Sequence, residues 1–128
     1  SQVYKGLSQR PPVSLPAADW LKAQMKIAVA NSRAQGVKPS KIRPIVKVEG
    51  EQGPVYVNAQ YLLDALEALP KHTKATAGNY FAPLYIESAN GDAVVLPVRY
   101  DAEKINHKEQ PLIDCTEGTE TESEERTA

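Results

Sequence analysis

The sequence predicts an α+β domain: two helices packed on one face of an antiparallel sheet built from hairpins. Three observations carry this. Apolar residues recur at helical spacing in two stretches, residues 17–35 and 59–69. Short β-rich runs come in pairs around turn chemistry, Gly50-Glu-Gln-Gly53 and Asn90-Gly91. The chain has 128 residues and is 41% apolar, which suits one modest core.

Residues 1–16 are rich in turn-formers (Pro11, Pro12, Pro16) and read as an extended segment with at most one short strand, residues 3–7. The absence of an initiator Met at Ser1 makes the chain read as an excised or processed piece. Pro16 suits entry to the first helix, Asp19 favours its positive end, and Gly36 supplies a stop. At 100° per residue, Trp20, Leu21, Gln24, Met25, Ile27, Ala28 and Val29 gather on one broad face. Lys22, Lys26 and Arg33 form a basic stripe on the other side. Residues 36–44 are a loop with three more bases, Lys38, Lys41 and Arg43.

Residues 45–49 alternate as a half-buried strand, and residues 54–57 return as its hairpin partner. Asn58 is an N-cap for the second helix, residues 59–69, which Pro70 ends. Leu62, Leu66 and Leu69 mark its buried face. Residues 70–78 read as a polar loop. Residues 80–87 and 93–100 form a second hairpin about Asn90-Gly91, a pair suited to a type I′ turn with positive φ at both positions. Pro83 and Pro97 interrupt it and belong at strand edges or ends. After Tyr100 the pattern fades. Residues 17–115 make the domain, and residues 116–128, without an apolar residue before Ala128, read as a disordered acidic tail.

The net charge of −1 conceals a strong asymmetry. Residues 1–48 hold nine Lys/Arg and one acid, whereas residues 117–128 hold five Glu and one Arg. The basic part suits a polyanion, and the acidic tail should repel one. No apolar run approaches the ~20 residues of a membrane span, and the N-terminus lacks a signal-peptide layout. A cytoplasmic protein without membrane contact is expected. Cys115 alone makes no disulfide or zinc site, and it reads as an inert thiol. His72 and His107 lack ligand spacing, and Asp64 with Glu67 reads as an exposed helix face. No cofactor is expected and no enzyme is indicated.

Three motifs then occur in order: V-x-V-N-x-x-Y-L-L-D-A-L-E-A-L at residues 55–69, P-L-Y-I at 83–86 and G-D-A-V-V-L-P-V-R at 91–99. Together they resemble the closing segment of bacterial sliding clamps, the beta subunit of the replicative DNA polymerase, over residues 54–101. The resemblance implies a clamp-like domain serving DNA replication as a processivity factor. It implies helices facing double-stranded DNA without reading sequence, and Lys22, Lys26, Arg33, Lys38, Lys41 and Arg43 would meet the backbone. It implies an apolar pocket at Val94, Leu96, Pro97, Val98 and Arg99 for short linear motifs of polymerases and other replication proteins. Leu96 and Val98 stand where the family carries two methionines. A family chain has three such domains and pairs into a ring, so one domain must form a homo-oligomer to encircle DNA. Two other readings remain open: a nucleic-acid-binding module that forms no ring, and a regulatory domain that binds clamp partners without DNA.

Overall fold

The computed structural model describes Gly6, residues 9–78 and residues 82–116. Of the expected strand at residues 3–7 only Gly6 is described, and it is helical. The start of the run at residue 80 and the tail beyond Thr116 lie outside the described residues. Helix α1 spans Ala18–Ala34, with Asp19 in its first turn and Arg33 in its last, each placed favourably for the helix dipole. A 3-10 turn at Pro39–Lys41 leads to the hairpin β1 (Ile45–Gly50) and β2 (Gly53–Asn58). Helix α2 (Ala59–Ala68) follows, started by the Asn58 side chain, which accepts the Tyr61 N–H at 3.1 Å. Then come β3 (Lys74–Thr76), the hairpin β4 (Leu84–Ser88) and β5 (Gly91–Val95), and β6 (Leu112–Asp114).

The α+β class and both hairpins are as expected, but the strands divide between two three-stranded sheets, β2-β1-β6 and β3-β4-β5. Two elements depart from the sequence reading. The supposed polar loop at 70–78 contains β3, which the N-terminal segment flanks through Val13 N–H to the Ala75 carbonyl at 2.9 Å. Its buried residues are the small Ala75 and the polar Thr76, with Ala77 just beyond, too weakly apolar a run to mark a strand. The stretch after Tyr100, which shows no pattern, ends in β6, which pairs in parallel with β1 (Ile45 with Leu112, Lys47 with Asp114). A three-residue strand is too short for alternation to register.

Prolines set the limits of the second hairpin. The strand expected from residue 80 begins at Leu84, directly after Pro83, and the one expected through Tyr100 stops at Val95. Pro97 makes only a single bridge, to Val57, after which the Val98 N–H donates to the Tyr56 carbonyl at 2.8 Å. The chain thus leaves one sheet and stitches itself to the other. Both hairpins turn through two residues with negative φ, Glu51-Gln52 and Ala89-Asn90, and exit at a glycine with positive φ, Gly53 (115°) and Gly91 (141°). The expected type I′ turn centred on Asn90-Gly91 is therefore shifted by one residue, and Asn90 needs no left-handed backbone.

One apolar cluster joins every layer. Leu21 of α1 and Leu62, Leu63 and Leu66 of α2 meet Val46, Val48, Val55 and Val57 of one sheet and Ala75, Leu84, Ile86 and Val95 of the other. Ile113 of β6 completes it. Helix α1 is the loosely held member: of its expected apolar face only Leu21 is buried, and Ile27 is 54% exposed. Helix α1 thus lies at the margin of the core.

Candidate nucleic-acid interface and partner surface

Spacing on α1 decides where its cations go. Lys22 and Lys26 are one turn apart, Arg33 two turns further, so all three leave the helix on the side away from Leu21. All three are exposed, as are Lys38, Lys41 and Arg43 in the following loop. The stripe does not face open solvent alone. Lys22, Lys26 and Arg33, with Met25, Val29 and Ala30, form one wall of a groove of about 540 Å³. Gln60, Leu63 and Glu67 of α2 form the other. The groove has a cationic rim and an apolar floor.

The two helices carry opposite charge. Helix α1 has three cations and Asp19, whereas α2 has Asp64 and Glu67 and no cation. Gln60 Nε2 donates to Asp64 Oδ1 at 2.8 Å and holds that carboxylate on the exposed side. A phosphate backbone laid on this layer is therefore drawn toward α1 and the 36–44 loop and pushed from α2. Helix α1 points its C-terminal half at the 101–110 segment, where His107 joins Asn31 and Gln35 in a second groove. The Arg43 N–H donates to the Glu109 carbonyl at 2.7 Å, which anchors the basic loop beside that segment.

The second predicted surface lies where the chain changes sheets. Val94 is 37% and Leu96 71% exposed, whereas Val95 between them is buried under α2 and β4. Pro97 and Val98 are half-buried and Arg99 is exposed. Val94 is thus an outward side chain of the edge strand β5, and Leu96 is exposed just beyond its end, so neither is a core residue. The sequence reading missed what fixes them: the Tyr100 ring stacks on Tyr56 of β2, centroids 4.3 Å apart and 12° from parallel. Together with the Val98–Tyr56 hydrogen bond, this stack clamps residues 98–100 onto the first sheet and presents Leu96 on a fixed ridge. Two aromatic residues 44 positions apart in sequence give no local signal of such a pair.

The remaining reactive groups are placed as follows. Cys115 is buried, and desolvation, helped by Asp114 nearby, pushes its thiol up to about 12. His107 is exposed, its Nε2 lying 2.7 Å from the Ala102 carbonyl oxygen. On the first sheet the half-buried Lys47 donates to the exposed Glu49 carboxylate at 3.1 Å, and this hydrogen bond raises the lysine pKa. Among the described residues no three His, Cys, Asp or Glu side chains converge as metal ligands, and no helix is long and apolar enough to cross a membrane.

No known protein family matches this chain, and neither a curated protein nor a solved structure does.

Proposed function

We propose that this chain is a non-enzymatic DNA replication accessory domain of the sliding-clamp kind. It lays α1 and the 36–44 loop along the backbone of duplex DNA and docks linear motifs of replication proteins on the ridge at residues 94–99. The observation that carries the reading is the exposure of Lys22, Lys26 and Arg33 along one side of a helix that packs beside a second helix. Such cations neutralise phosphates without reading bases, which permits sliding and makes binding sensitive to salt. The exposure of Val94 and Leu96 supports the second half, because a partner segment needs apolar side chains that the core has not consumed.

Binding to duplex DNA at low salt, both linear and closed circular, tests the first half. Lys22→Glu and Lys26→Glu should each weaken it, and a wild-type chain without salt-sensitive binding would end the DNA reading. Titration with a clamp-binding peptide tests the second half. Amide shifts should concentrate at residues 94–99 and vanish with Leu96→Asp, and an unperturbed ridge would remove the docking claim.

Asp64 and Glu67 on α2 favour a variant of this reading in which the domain contacts DNA from one side and forms no ring. A ring holds closed circular DNA and slides off linear ends, whereas a one-sided binder treats the two alike. Light scattering coupled to size exclusion gives the complementary measurement, and a strict monomer at high concentration rules out encirclement.

A further inference from the structure

The groove between α1 and α2 has a property that phosphate binding leaves unexplained: its cations stand around an apolar floor of Met25, Val29 and Leu63. We propose that the groove is the docking site of the chain's own acidic segment, residues 117–125, which competes there with nucleic acid. The consequence for DNA rests on the reading above, whereas the contact itself does not.

Three observations carry it. Residues 117–125 read E-G-T-E-T-E-S-E-E, five carboxylates with no cation among them and threonine methyls between. The groove offers three cations against one acid, Glu67. The point of departure is also right. Thr116 shares a small depression with Val13 and Ser14, and Ser14 stands four residues before Ala18, where α1 begins. The segment therefore leaves the domain beside the stretch that leads into the helix from which Lys22 projects. Lys22 to Arg33 spans about 16 Å at 1.5 Å per residue, and nine extended residues reach about 30 Å.

Each exposed carboxylate–cation pair is weak and screened by salt. Tethering compensates, since a short linker holds the segment at an effective concentration of about millimolar. The outcome is a weak, salt-labile occupant that DNA, with more phosphates in register, displaces. The segment then sets a threshold for binding.

The test compares the full chain with a full-length variant carrying Glu→Gln at positions 117, 120, 122, 124 and 125. At low salt, NMR signals of Lys22, Lys26 and Leu63 should differ between the two proteins, independently of protein concentration. The spectra should merge at about 0.3 M salt, where screening is short-ranged. Identical low-salt spectra overturn the proposal, as do differences confined to Lys38, Lys41 and Arg43, or ones that grow with concentration. In a second arm the variant should bind linear duplex DNA about tenfold more tightly at low salt. Equal affinities overturn the competition. If neither protein binds DNA while the groove signals still differ, the docking stands and the DNA reading falls.

Discussion

Asn58 sits between β2 and α2, where its backbone ends a strand and its side chain opens a helix. Replacing it with alanine removes the acceptor for the Tyr61 N–H, and loss of such a cap costs about 1 kcal/mol. Urea unfolding of Asn58→Ala should show that loss without a change in slope. Cys115 makes a prediction of a different kind. Its folded thiol titrates near 12, above the 9.0 of an exposed thiol, so the folded state holds its proton more tightly. The stabilisation is whole below pH 9 and is lost as pH rises from there toward 12, by up to about 1.4 kcal/mol per pH unit. The same burial makes Cys115 resist alkylation at pH 8 until the protein unfolds, and rapid labelling of the native protein would contradict it. The cap was readable in the sequence because it is a local device, an Asn directly before an apolar helix. The burial of Cys115 was not, since its cover comes from β1 through the Lys47 carbonyl, far away along the chain.

At the scale of elements, α1 is the informative piece. Its periodicity correctly announces a helix, yet the broad apolar face implied by Trp20, Met25 and Ile27 is only partly used. Leu21 alone plunges into the common cluster. Leu21→Ala should therefore cost about 2–5 kcal/mol, a large share of a typical domain's 5–15 kcal/mol. Ile27→Ala, at a side chain 54% exposed, should stay within about 0.5 kcal/mol. Equal losses in thermal unfolding would mean that α1 seats itself differently. Helices and hairpins were legible because their patterns repeat over ten residues or more, or end in glycine turns. Strands β3 and β6 were not legible, being three residues each and defined by partners outside their own neighbourhood. The Pro97 crossing was legible as an interruption but not as a stitch between sheets.

For the whole molecule, charge layout matters more than net charge. Cations line α1 and its following loop, and carboxylates line α2, so the helical layer is polarised across its width. If three to six cations meet phosphates, log K should fall against log salt with a slope of about −0.9 per contact. Lys26→Ala should reduce that slope by about one and weaken all DNA sequences alike. A slope unchanged by Lys26→Ala would move the interface off α1. The stripe itself could be read from the sequence, because i, i+4 and i+11 positions need only helical geometry. The groove it lines could not, since Leu63 and Glu67 arrive from a helix about forty residues later.

The parallel pairing of β6 with β1 also bears on how the molecule comes into being. Both hairpins and α2 depend on near neighbours, whereas Ile113 must find Val46 across the length of nearly everything else. Contacts that close large loops form late because their entropy is lost before any bond rewards it. During synthesis, the β1–β2 ribbon therefore keeps the β1 edge unclaimed until residues 112–114 of β6 emerge. Pulse-labelled refolding should show the Ile45 and Cys115 amides, bonded to Pro111 and Lys47, gaining protection after the amides of the β1–β2 ladder. Simultaneous protection would show that the first sheet closes in a single step.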